Sequence, residues 1–154
     1  MISRPLSLLS RSPLILWSFG ALLVIAAYWP GLHGPLVFDD QLNITENRAV
    51  AIHDLSYSSL KKALLSNNSG PLKRILPALS FGINHYQAGG FKNTLVFKVT
   101  NLVIHLISFA LAFWLAYLLW PKLFTSTADT SFSTTQKNRI LPAFLVALVW
   151  ALHP

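Results

Sequence analysis

The sequence predicts an all-α integral membrane protein, with two complete transmembrane helices, a truncated third, and an extracytoplasmic loop domain carrying short amphipathic helices. Three observations predict it. Hydrophobic residues make up 53% of the 154 residues and charged ones only 11%, far from the balance of a soluble domain. The apolar residues gather in long uncharged runs. The Lys and Arg are scattered or flank those runs and form no basic stripe interleaved with aromatics, so the net charge of +7 points to membrane topology and away from nucleic acid.

Residues 1–13 carry Arg4 and Arg11 and read as a cytoplasmic amino terminus. The uncharged run 14–29, broken only by Ser18 and Gly20, reads as the first membrane helix. A cleaved signal peptide shares the basic start. However, the run exceeds an h-region of about 7 to 15 residues, it has no A-x-A cleavage site, and Tyr28-Trp29 supplies an interfacial anchor.

Residues 30–93 turn polar and hold four of the five acids and two Gly-Pro turns, as expected of a domain outside the bilayer. Within it, Asp54 or Ser56 can cap a helix running through Leu65. Its Tyr57, Leu60 and Leu64 share one face, suited to lying on lipid or on other helices. A second helix is expected to start near Pro77, at the first helical position, and to stop near Gly89-Gly90. Asn43-Ile44-Thr45 and Asn67-Asn68-Ser69 match the glycosylation pattern, which is frequent by chance.

Residues 94–120 form the second membrane helix, ending in a belt of Trp114, Tyr117 and Trp120. Thr94, Lys98, Asn101, His105 and Ser108 recur at spacings of four and three, which lines them up on one face. In one reading Asn101, His105 and Ser108 hydrogen-bond to neighbouring helices. In the other, His105 lies near mid-membrane facing a cavity, where an ionisable group marks function. Residues 121–139, with Lys122, Lys137 and Arg139 against Asp129, read as a cytoplasmic loop. That places 30–93 outside, since a loop of about 60 residues crosses largely regardless of its own charge. Residues 140–154 begin a third apolar run too short for the roughly 20 residues of a spanning helix. The sequence therefore reads as the amino-terminal piece of a longer membrane protein, a genuine short protein being the alternative.

The adjacent carboxylates Asp39 and Asp40, just after the first membrane run, are the candidate chemistry. Acids are scarce here, so the pair either braces a turn before 42–50 or acts. The chain has no Cys, which removes disulfides and thiolate sites. The five His show no zinc-site spacing. Transfer of a sugar from a lipid phosphate to a hydroxyl needs a carboxylate base and donors for the departing phosphate. Asp39 would be the base. Asp40 could orient it, raise its pKa by repulsion, or bind a divalent cation. Arg74 would grip phosphate bidentately, while the Asn101 and His105 face could line a donor cavity.

The succession Phe38-Asp39-Asp40 with Asn47, then Arg74-Ile75-Leu76-Pro77-Ala78-Leu79-Ser80-Phe81 with Asn84, then Asn101-Leu102-Val103-Ile104-His105, then Ala151-Leu152-His153-Pro154 resembles the start of multi-spanning GT-C glycosyltransferases. The nearest likeness is to the transmembrane and tetratricopeptide-repeat O-mannosyltransferases and their bacterial relatives. The pattern departs at Leu76, where Pro is expected after the Arg-containing pair. The resemblance implies a polyprenyl-phosphate sugar donor, a protein or glycan acceptor and no nucleic acid. By resemblance Asp39 is the matching catalytic position, with Asp40 beside it as its partner. The candidate donor- and phosphate-binding residues are Arg74, Asn101, His105 and His153, and the implied location is the bacterial inner membrane. Two other classes fit the same composition. One is a non-catalytic membrane subunit or assembly factor with an external docking domain, and the other is a transporter fragment using His105 as a relay.

Overall fold

The computed structural model describes residues 13–37, 40–66, 74–124 and 139–153, and every regular element among them is helical. Asp39, the Asn67 acceptor, Pro154 and the flanking cations Arg4, Arg11 and Lys137 lie outside the described residues. The chain divides into two units. One is residues 1–29 with 102–154, and the other is residues 30–101.

The first unit is a bundle of three apolar helices. Pro13 opens α1 (Pro13–Tyr28) at its first position, where its missing N–H would have had no intrahelical partner anyway. Pro30 has no N–H to extend the α-helical ladder, and the chain continues as a 3-10 turn, Trp29–His33. Helix α4 (Thr94–Phe124) contributes its part beyond Asn101. Helix α5 (Ile140–Leu152) holds Pro142 in its first turn, again where no donor is lost.

Ala143, Ala147 and Ala151, four residues apart on α5, are fully buried. Small residues at this spacing let helix backbones approach closely, and α1 packs on α5. Phe109 and Phe144 meet over Gly20. A Cβ there would lie 2.7 Å from a ring atom of each, so only glycine leaves both rings their places. Leu16 and Val24 complete the core. At one end Tyr28 and His105 meet the backbone of Ala151; at the other Arg139 meets Tyr117. Helices α1 and α5 thus run parallel, with α4 antiparallel to both.

The outer faces of this bundle are apolar as well. Phe19 and Leu22 on α1, Ile107 and Leu111 on α4, and Val149 on α5 are all more than half exposed. A helix at a water surface would carry polar residues there.

The second unit is built on polar turns around a small core of Ile44, Val50, Ile52, Ala63, Ala78 and Phe97. Ser56 caps α2 (Tyr57–Leu64) by accepting from the Ser59 N–H at 3.3 Å. Gly89 ends α3 (Ile75–Ala88) in the left-handed conformation at φ 66°. The two helices pack where Gly82 faces the Ala63 side chain: a Cβ at 82 would stand 2.9 Å from that of Ala63.

Two boundaries differ from the sequence expectation. Helix α3 begins at Ile75, which puts Pro77 third; a proline is tolerated throughout the first turn, because none of those N–H groups has an intrahelical acceptor. Helix α4 runs on through Pro121 to Phe124, although the loop was expected from 121. Pro121 has no N–H to offer the Tyr117 carbonyl, and the helix ends three residues beyond it. The Ser56 cap and the Gly89 stop fall where the sequence puts them.

Candidate functional site

Asp40 precedes the π-helical turn Gln41–Thr45, and its Oδ2 accepts from the Val37 N–H at 3.2 Å. That bond closes the loop leading out of the Gly34-Pro35 turn, itself held from α4. There the Thr94 hydroxyl donates to the Gly34 carbonyl at 3.3 Å and Lys98 Nζ to the Pro35 carbonyl at 3.1 Å. Two of the five residues in the polar stripe of α4 therefore fasten the segment that presents Asp40. Asp40 itself stays half exposed with its second oxygen not used by Val37. Arg74 occupies the cap position of α3 and is exposed. Asn101 is exposed too. Among the described residues, no hydrogen bond or ion pair joins Asp40, Arg74 and Asn101.

Asn47 and Asn84 have structural partners. Asn47 accepts from the Ala49 N–H and donates to the Ser66 hydroxyl. Asn84, 2% exposed, accepts from the Thr100 hydroxyl at 2.8 Å. His85 beside it is buried; its Nδ1–H donates to the Ile52 carbonyl at 2.9 Å and its ring packs 4.4 Å from that of Phe91. The acid Asp54 is committed to the start of α2. Hydrogen bonds from the Ser56 hydroxyl and then the Ser56 N–H hold its carboxyl below the usual carboxylate range.

In the bundle, His105 Nε2 lies 2.9 Å from the Ala151 carbonyl, and a carbonyl only accepts, so this nitrogen carries the proton. The carbonyl belongs to the last turn of α5, which has no intrahelical donor left for it. The Tyr28 hydroxyl reaches the same oxygen at 3.4 Å. Trp150 stacks on the His105 ring at 5.4 Å and Tyr28 tilts against it at 5.0 Å. The helix-tying reading of His105 holds, since it joins α4 to α5. It also lines an open groove of about 460 Å³ with Val146, Val149, Trp150 and His153, but at the end of the bundle and not at its middle, where the other reading puts it. That volume lies in the range of ligand pockets, about 300 to 1,000 Å³. Ser108 makes no such tie: its hydroxyl bonds back to the Ile104 carbonyl of its own helix.

Of the sequence-predicted residues, the structure brings His105 and His153 together in one groove wall. Among the described residues no three His, Asp or Glu side chains converge as a cation site requires. Tyr28 and Trp150 complete the His105 cluster and were expected only as an interfacial anchor and as part of an apolar run. The sequence signal for their meeting is the Ala143, Ala147, Ala151 spacing, which brings the α5 backbone close enough to be reached. No family model, curated protein or solved structure matches the chain.

Proposed function

We propose that the protein is membrane-integral, with its apolar bundle in lipid, and that it serves sugar transfer from a polyprenyl-phosphate donor in the manner of a polytopic glycosyltransferase. The observation that carries the membrane reading is exposure. The most apolar stretch of α4 has only 6% of its residues buried, and that of α1 with its following turn only 22%. The core helix of a soluble protein is mostly buried, whereas these faces are left to a hydrocarbon solvent.

The transfer reading is supported by the order of motifs from Phe38 to His153 and by two features of the fold. Among the described residues Asp40 bonds Val37 through one carboxylate oxygen, at a turn fastened from α4. His105 and His153 share an open groove at the end of the bundle, where a lipid-phosphate donor could be met. In this reading Asp39 takes the acceptor proton and Arg74 holds the donor phosphate.

A specific observation favours the second reading, a non-catalytic membrane subunit: Asp40 and His105 each have a structural partner, Val37 and Ala151. One assay separates the two. A full-length version of the protein and its Asp39→Asn and Asp40→Asn variants are compared for transfer from a polyprenyl-phosphate sugar and for thermal stability, beside the 154-residue chain, from which no transfer is expected. Transfer that falls about 100 to 10,000-fold in Asp39→Asn at unchanged stability supports catalysis. Asn at 40 still offers Val37 an acceptor, so its melting should also hold. Full-length wild-type protein that inserts and folds but transfers nothing leaves the subunit reading.

A further inference from the structure

We propose that the outward stripe of α2, formed by Tyr57, Lys61 and Leu65 with Leu55 and Lys62 beside it, docks on an anionic lipid surface. The inference rests on the membrane reading above and adds a second contact with the bilayer, from the unit comprising residues 30–101.

The stripe follows from the register of α2. Ala63 is fully buried against Gly82 of α3, with Leu60 and Leu64 half-buried on the same side. Residues 57, 61 and 65, four apart, form a stripe facing away from Ala63, with Tyr57 at its edge beside Leu64. The face that the sequence gives to Tyr57, Leu60 and Leu64 is thus divided between the core and the surface. Tyr57 is 79% exposed, Leu55 51% and Leu65 48%. Lys61 and Lys62 are exposed, and Lys61 Nζ sits 5.9 Å over the Tyr57 ring. An aromatic, aliphatic side chains and two lysines on one exposed face are what the interface between headgroups and acyl chains accommodates.

Charge and size select the partner. From residue 55 to residue 128 the sequence holds no Asp or Glu. Asp54, at the start of α2, is already bonded by Ser56. The surface is therefore complementary to anionic headgroups. A protein partner fits less well: a helix of 8 residues is about 12 Å long, far short of the roughly 800 Å² per side of a stable protein interface. Lipid needs no such area, because the chain on either side enters an apolar helix and the contact forms as an intramolecular event.

The test uses the absence of Cys from the chain. A nitroxide on Ser58→Cys, on the same exposed side, reports water or lipid by its accessibility to an aqueous nickel chelate or to oxygen; one on Ile107→Cys reports insertion of α4. In vesicles with a third phosphatidylglycerol, the label at 58 should contact lipid. Lys61→Gln with Lys62→Gln should lower the docking equilibrium about 25-fold, from about fivefold per lysine, and zwitterionic vesicles should do the same. A label at 58 in water while that at 107 is in lipid overturns the docking and leaves the membrane reading intact. Labels at both positions in water end both. Docking equal on the two lipids, or shielding at 58 from both reagents, replaces the anionic surface with a neutral interface or a protein contact, and the proposal fails.

Discussion

The bundle and the unit comprising residues 30–101 satisfy their polar groups in different ways. In 30–101 the bonds are spread through the unit. Some are local, Asp40 to Val37, Asp54 to Ser56 and Ser56 to Ser59, and others join distant segments, Thr94 to Gly34, His85 to Ile52 and Thr100 to Asn84. In the bundle the bonds between helices gather at the ends. Tyr28 and His105 reach Ala151, and Arg139 donates to Tyr117 at 2.6 Å with its guanidinium 3.9 Å over that ring. Between those ends lie Gly20, Phe109, Phe144 and Ala147, packed against one another by van der Waals contact. On the membrane reading proposed above, the difference follows from solvent. A chain in water can build turns from short polar side chains, whereas helices in lipid have no hydrophobic force between them and rely on close packing and a few bonds.

The two tight glycines give the sharpest contrast, and valine substitutions carry the largest expected effect. At Gly82 the obstructing atom is the Cβ of Ala63, which moves only if α2 moves. At Gly20 the obstructing atoms are the far ends of two rings, which can shift within their cluster. Gly82→Val should cost about 3 kcal/mol and Gly20→Val nearer 1 kcal/mol, the two ends of the usual overpacking range. Gly31, with nothing within 4 Å of a Cβ, is the control. Thermal unfolding in detergent, with amide exchange read separately in α2 and α4, would measure them. A larger effect at 20 than at 82 would mean the bundle is the more rigidly packed unit.

His105→Ala comes next. It removes the 2.9 Å bond to Ala151 and leaves that carbonyl only Tyr28 at 3.4 Å. Bonds between membrane helices average about 0.6 kcal/mol, so a loss of about 1 kcal/mol is expected, including the stacking of Trp150 and Tyr28. Exchange should rise at the carboxyl end of α5 and not in α2. An unchanged bundle would show that the end contacts are incidental to its packing.

Much of this division was legible in the sequence. Long uncharged runs announced α1 and α4, Ser56 announced the cap of α2, and Gly89 announced the stop of α3. The start of α3 was misjudged because a proline fits several positions of a first turn. The apolar run ends at Trp120 as the sequence reads it, while the helix itself continues through Pro121 to Phe124. The site was half legible. His105 stood out as an ionisable group in an apolar run, but its partner is the backbone of Ala151, and a carbonyl leaves no mark in the sequence. The role of Gly20 was hidden as well, since it depends on two rings from distant segments.

The smallest expected effect tests whether the local bonding of 30–101 responds to pH. Asp54 has its carboxyl pKa lowered by the Ser56 hydroxyl, the Ser56 N–H and Ser59, and it is fully exposed. A carboxyl with a lowered folded-state pKa binds its proton less readily folded than unfolded. Its contribution is therefore complete above the ordinary carboxylate pKa and lost as pH falls through that value toward the lowered one. The start of α2 should loosen over this acidic window. Asp54→Asn, which keeps an acceptor for the Ser56 N–H but has no proton to bind, should remove that step while leaving the Ser56 cap in place. Amide exchange at Ser59 and Leu60, followed against pH in the wild type and the variant, reads the step directly, and bundle amides followed in the same experiment should show none of it. Identical profiles at Ser59 would mean that Ser56 alone sets the helix start, with Asp54 a bystander in water.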